Sequence, residues 1–291
     1  MNNTESHIKV TFTRYKSSAP LSKRYWLDGE LIQKQTSSTM TAGTAERVTI
    51  SFAEFLQALS NATDKQAFGY GIHSFDYPDT VKIVVSGKEE PANNIISRTH
   101  KFFEYHNSPG VLMLDHDPSE YGLTMSPDEL VAAVIEIHPE IEQAARIVRG
   151  SVSAGVHRTG EPARTGKGFH IYIPVTNAAD IPRYGVVLFD RLWLNGFGYI
   201  ALSSSGSALV RSAIDGTVFS PERLDFVGKP IISGTGLELT PPDIFYSDGS
   251  LLDTQSLQDL TDDEQATIKH MKAEKKEAIK RVEVQRYEKL R

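Results

Sequence analysis

The chain has 291 residues, 40% of them hydrophobic, and a formal net charge of -6, which is enough apolar content for one large domain or two closely packed subdomains but gives no overall attraction for nucleic acid. It has no cysteine, which excludes disulfides, thiolate zinc sites and a cysteine nucleophile, and suits a reducing compartment. No apolar run approaches the roughly 18 residues that span a bilayer, and MNNTESHIKV lacks the charged-then-apolar layout of a signal peptide, so the expected location is cytoplasmic.

The stretch HIKVTFTRY reads as a strand from its alternation and β-branched content. KRYWLDGELIQK fits a hairpin with Asp28-Gly29 at its turn, and the small polar run TSSTMTAGTAE reads as a loop. Ser51 and Glu54 form a capping box for a helix over about Phe52 to Leu59. TVKIVVSG is a strand, and RTHKFFEYHNSPG reads as a short helix followed by a turn. Val111 to Leu114 is an apolar strand that delivers Asp115 and Asp117 and stops at Pro118. Ser126-Pro127-Asp128-Glu129 opens a second helix with a cap, a first-turn proline and acids at the positive end of the dipole. RIVRGSVSAG is a strand, GVHRTGEPARTGKG a loop rich in glycine and cations, and GFHIYIPV another strand.

Pro182 to Leu194 reads as a helix with Val186, Val187, Phe189, Leu192 and Trp193 on its apolar face and Gly196 past its end. SALVRSAID and RLDFVG read as strands or strand ends. From Leu239 the chain is proline-broken. Thr261 to Glu264 then cap a last helix that is almost all charge and reads as a solvated helix laced with i,i+4 pairs. That helix meets no glycine or proline stop signal before Arg291, so a longer natural chain is expected.

Three pieces carry chemistry. Alternation puts Asp115 and Asp117 on one face of their strand and His116 on the other. Paired carboxylates repel, and a hard divalent cation such as Mg²⁺ relieves that cost, although a D-x-D ending also fits a plain polar turn. In the strand Gly168 to Pro174, His170 shares a face with Tyr172 and Pro174, opposite Phe169, Ile171 and Ile173. It follows Arg164-Thr165-Gly166-Lys167-Gly168, where glycines permit close backbone approach and the cations suit phosphate oxygens; a lone strand histidine can equally be structural. This is not a Walker loop, because G-x-x-x-x-G-K-[ST] is absent. Asp215 ends an apolar strand with Arg211 in the same parity and Arg223 beyond Pro221, which fits either a metal-plus-triphosphate site or an Asp-Gly turn.

In this order and spacing the pieces resemble the archaeo-eukaryotic primase superfamily, in particular the primase-polymerases of plasmids and phages. The first motif of that family, an apolar strand ending in D-x-D, is matched by Asp115 and Asp117. The second, a small residue, any residue and histidine on a strand, is matched by Gly168-Phe169-His170. The third, an apolar residue and aspartate followed by an aromatic and an arginine, is matched by Ile214-Asp215, Phe219 and Arg223. The resemblance covers about residues 10–235. Two departures stand out: glycine replaces the usual serine at 168, and the zinc element of many relatives is missing.

The resemblance implies an α+β fold. An N-terminal α/β subdomain over 1–105 packs on an RRM-like sheet over 106–240 that carries the carboxylates, and a linker and charged helix follow over 241–291. It implies template-directed nucleotidyl transfer that makes primers on single-stranded DNA. Asp115, Asp117 and Asp215 are assigned to Mg²⁺ or Mn²⁺. His170, Lys167, Gly168 and Arg223, with Arg211 and Arg164, are assigned to the incoming NTP or dNTP. A replicative helicase, as a further domain or a separate protein, is an implied partner, and no membrane is. Arg146, Arg149, Arg158, Arg164 and Arg183 are candidates for tracking a template backbone. Competing classes are a non-enzymatic replication-initiator module, a metal-dependent nuclease and a plain structural domain.

Overall fold

The computed structural model describes residues 8–35, 40–119, 122–152, 154–162, 168–203 and 205–289, with backbone alone over 282–289. The chain is a mixed α+β protein built on two main sheets. The first has five strands in the order Gln66–Gly69, Lys9–Ser17, Gly43–Ser51, Thr80–Val84, Ile95–Ser97. Its second strand, Lys9–Ser17, buries side chains on both faces. Val10 and Phe12 enter the main core, while Tyr15 enters a smaller one with Phe103 and Ile83. The apolar residues Val10 and Phe12 therefore face one side of the strand and Tyr15 the other.

The second sheet has four antiparallel strands in the order Gly110–His116, Phe169–Val175, Arg146–Gly150, Ile244–Ser247. Its first and third strands both run against the second, so they are parallel to each other, and the helix α2 (Pro127–Ile137) makes the crossover between them. The helix α3 (Ile181–Leu194) follows the Phe169–Val175 strand. The strand Ile244–Ser247 completes the sheet, so the chain beyond residue 241 contributes to it.

The helix α1 (Phe52–Ser60) lies between the two sheets. Its Phe55 ring stands 5.0 Å from Phe12 of the first sheet and 5.7 Å from Tyr172 of the second. The other face of the second sheet, with Leu112, Leu114, Ile171 and Ile173, is closed by α2 and α3, and all of these belong to one core cluster.

The start signals hold. Ser51 with Glu54, and Ser126 with Glu129, form reciprocal capping boxes. The hairpin also forms, from Arg24–Asp28 and Leu31–Gln35. Asp28 pairs with Leu31, so the turn centres on Gly29 and Glu30, with Gly29 at φ +56°.

Four expectations are corrected. Residues 98–110 form no helix. Phe103–Glu104 pairs with Ile72–His73, because Phe103 is fully buried and its ring packs 5.7 Å from Tyr15 and 6.0 Å from His73. The stretch called a loop over 36–46 already belongs to a strand from Gly43: Ala45 is buried opposite Tyr15, and Glu46 pairs with Arg14 at 2.8 Å; positions 36–39 lie outside the described residues. Val186 is 62% exposed and leaves the buried face of α3. The charged terminal helix α4 (Asp262–Lys289) is not solvated all round: Ile268 is buried in a cluster with Trp193 and Ile200, and Lys272 pairs with Asp190 at 2.6 Å.

Candidate active site

The apolar run Val111–Leu114 is buried in the second sheet, which fixes the strand end that follows. Antiparallel pairing sets Asp115 directly opposite His170, so the two side chains share a face. Nε2 of His170 stands 3.3 Å from Oδ1 of Asp115. His116 turns the other way: its ring is buried, its Nδ1 is 2.7 Å from the Ala213 carbonyl, and it packs on Phe169. The backbone N–H of Asp215 donates to the carbonyl of Asp115 at 2.8 Å, which ties the distant third motif to the first. Asp115, Asp117, His170, Asp215, Arg223 and Lys23 line one cavity of about 200 Å³.

Asp215 also does what its Asp-Gly context suggests. Its carboxylate accepts from the Thr217 N–H at 3.0 Å and the Thr217 hydroxyl at 2.9 Å, capping a short 3-10 turn over Gly216–Phe219. Each oxygen keeps a lone pair free after these bonds.

The acids are not fully neutralised by what surrounds them. Partial burial, and then the charges of Asp115 and Asp215, push the Asp117 carboxyl above its usual range, while Lys23 and His170 oppose the shift. Oδ1 of Asp115 is buried, with Nε2 of His170 beside it at 3.3 Å. Among the described residues, no group of three histidine, aspartate or glutamate side chains forms a ready-made metal cage. Gly168 takes φ +45°, and a Cβ there would stand 2.9 Å from Oδ1 of Asp117. Glycine at this position is therefore a backbone requirement as well as the loss of a hydroxyl.

Sequence reasoning missed the group behind His170. Asp225 has a fully buried side chain, and three side chains converge on it. Tyr70 and Tyr172 donate their hydroxyls to its Oδ2 at 2.6 and 2.8 Å. Nδ1 of His170 lies 3.4 Å from its Oδ1 and 3.0 Å from the Tyr172 hydroxyl. Asp225 sits in RLDFVG, which is not a strand but a single bridge to Phe68. The available signal was an acid flanked by buried Leu224 and Val227, an apolar setting that a solvated carboxylate would not choose.

Burial opposes charge on both partners, yet their attraction and hydrogen bonds prevail. His170 is held well above the ordinary imidazole value and Asp225 below the ordinary carboxylate value. The signs set a pH window. Stability from Asp225 is present above its unfolded value of about 3.9 and lost as pH falls through the lower folded value. Stability from His170 is present below its unfolded value of about 6.5 and lost as pH rises through the raised folded value. The gap in melting temperature between the wild type and His170→Gln is therefore expected to narrow from about pH 6 to about pH 10. A gap that stays constant across that range in thermal melts would contradict this charge assignment.

The remaining candidates divide. Arg223 lines the cavity, while Arg211 sits opposite Tyr199 on the strand Ala208–Ser212 and does not line it. Lys167 and Arg164 lie outside the described residues. The arginines suggested for template tracking make internal contacts where they are described. Arg149 is buried and donates to the Val227 carbonyl at 2.9 Å. Arg183 is held by Asp180 at 2.6 Å and Asp259 at 2.7 Å. Arg146 donates to the carbonyls of Glu142 and Ala144, and Arg158 to that of Glu30. Arg149 is thereby committed to the fold, while Arg146, Arg158 and Arg183 stay partly exposed. Lys23, which no local motif marks, reaches the cavity from the segment before the hairpin.

No helix among the described residues is long and apolar enough to cross a membrane. No family model matches the chain, and no curated protein or solved structure is significantly similar to it.

Proposed function

We propose that the chain is a primase-polymerase of the archaeo-eukaryotic type, which extends or starts a strand on a single-stranded DNA template by nucleotidyl transfer. The observation that supports this reading best is convergence. Asp115, Asp117 and Asp215 line one cavity with His170 and Arg223, although they come from segments far apart in the chain. The order strand, α2, strand, strand, α3 in the second sheet also agrees with an RRM-like catalytic half.

The donor set fits a divalent cation of the Mg²⁺ or Mn²⁺ kind. All three acids offer hard oxygen ligands, and partial burial together with the charges of Asp115 and Asp215 pushes Asp117 up. Asp115, Asp117 and Asp215 would hold it, and when bound it supplies charge neutralisation at the α-phosphate and at the attacking 3′-hydroxyl. The chain's own residues do the rest. His170 presents Nε2 to the cavity, and Arg223 and Lys23 place two further cations on its wall. Imidazole, guanidinium and ammonium side by side suit the oxygens of a triphosphate. The partly enclosed site limits competing water, which strengthens each of these contacts.

The wall of cations is what favours a polymerase over a nuclease with the same acids, since a nuclease has no triphosphate to hold. The test supplies labelled NTPs or dNTPs in separate reactions with Mg²⁺ or Mn²⁺ and a single-stranded template. Labelled products that require protein, metal and template are the expected result. Loss of template without nucleotides would establish the nuclease, and a mobility shift without synthesis would establish a non-enzymatic initiator module.

A further inference from the structure

We infer that Asp225 is a positioning residue that aims His170 at the phosphates of an incoming nucleotide. The inference rests on the primase-polymerase reading and adds to it a residue that none of the sequence motifs contains.

The argument begins with cost. A carboxylate whose side chain is wholly out of water is tolerated only when partners satisfy it. Asp225 has them: both tyrosine hydroxyls meet Oδ2, and the imidazole faces Oδ1. The tyrosines themselves are fixed. Tyr172 shows no exposure and Tyr70 only 4%, and their rings pack 6.1 Å apart under Phe55. The carboxylate therefore has one orientation, and it imposes one on the ring beside it.

His170 spans the boundary between that buried network and the cavity. Nδ1 faces inward to Asp225 and the Tyr172 hydroxyl, and Nε2 faces outward to Asp115, 3.3 Å away. Both nitrogens face carboxylate oxygens, an arrangement in which each carries a hydrogen. The inner contact settles the ring plane and leaves Nε2–H as a donor directed into the cavity. Partners of this kind fix a histidine's tautomer and orientation, and behind metal-ligating histidines their loss costs about 10–100-fold in affinity or activity.

Asp225→Asn is close in size and tests direction as well as charge. The two tyrosine donors require the amide oxygen at the Oδ2 position. The amide NH₂ then falls at the Oδ1 position and faces Nδ1–H, donor against donor. The ring must turn or lose its inner contact, with no carboxylate touching the nucleotide changed.

The experiment titrates labelled ATP and labelled dATP, separately and with Mg²⁺, into wild type, Asp225→Asn, His170→Ala and the double variant. Single-stranded DNA binding without nucleotide is measured alongside. Asp225→Asn is expected to weaken nucleotide binding by about 10–100-fold, to leave DNA binding unchanged, and to cause no further loss once His170 is alanine. Tyr70→Phe, which takes one donor from Asp225 without touching His170, is expected to weaken nucleotide binding by a few-fold and covers the case in which Asp225→Asn does not fold. Wild-type binding with Asp225→Asn and Tyr70→Phe unchanged would overturn the inference alone. So would an equal loss from Asp225→Asn with and without His170. A wild type that binds neither nucleotide overturns the polymerase reading and this inference with it.

Discussion

Asp117→Asn and Asp115→Asn are each expected to lower primer synthesis by about 10³-fold or more while leaving the protein folded. The loss follows from the proposed chemistry, because each variant removes an ionic oxygen ligand from the cavity wall that Asp115, Asp117 and Asp215 share. Retention of the fold follows from the electrostatics of the same wall. The folded chain binds a proton at Asp117 more tightly than the unfolded chain does, through partial burial and the charge of Asp115. Above the unfolded carboxylate value, that raised proton affinity works against folding. In metal-free buffer at about pH 7, Asp117→Asn should therefore melt at or slightly above the wild-type temperature. The gain should vanish as pH falls below about 4, where the unfolded chain also holds the proton. The rise is small because Asp117, although desolvated on its cavity side, keeps much of its surface in water, which screens the repulsion. Activity and stability thus move in opposite directions, which a simple folding defect cannot produce. Undiminished product from either variant would end the assignment of these acids to the reaction.

The features legible in the sequence are those that local physics fixes. Ser51 with Glu54 and Ser126 with Glu129 announce helix starts because the hydrogen bonds they make span only three residues. Asp115 could be separated from His116, and His170 from Ile171, because a strand alternates whatever surrounds it. What the sequence hid depends on contacts across the chain. The Asp215 N–H finds the Asp115 carbonyl across a hundred positions, and only the resemblance joined the two beforehand. Arginine is ambiguous for the same reason. Its five donors serve a phosphate or a carbonyl equally well, and Arg149 turned out to serve Val227. Asp225 reads as an ordinary polar residue until Tyr70 and Tyr172 are found around it. Phe102-Phe103 shows the override at the level of structure: helix-like spacing gave way to burial of Phe103 beside Tyr15 and His73.

Phe55→Ala is expected to destabilise the protein by about 3–5 kcal/mol, the loss typical of an aromatic removed from a closed core. The ring has no exposure. It packs edge-on to Phe12 at 5.0 Å, lies 5.9 Å from Phe68, and meets Tyr70 and Tyr172 at 6.4 and 5.7 Å. The first two contacts belong to the five-stranded sheet and the last reaches the sheet that carries Asp115 and His170, so one side chain helps to couple the two. Rigid strands and helices cannot close on the void, which is why the cavity term should be large. Val186→Ala, on the outer side of α3, is the control and should change stability by less than about 0.5 kcal/mol. Urea titrations check both, through a shift in midpoint at constant slope. The site should feel the change too, because Tyr70 and Tyr172 lose the surface that holds their hydroxyls on Asp225. Under conditions where Phe55→Ala is fully folded, nucleotide binding should weaken more than single-stranded DNA binding. A loss of stability below about 1 kcal/mol would mean that α1 does not brace the two sheets as its packing indicates.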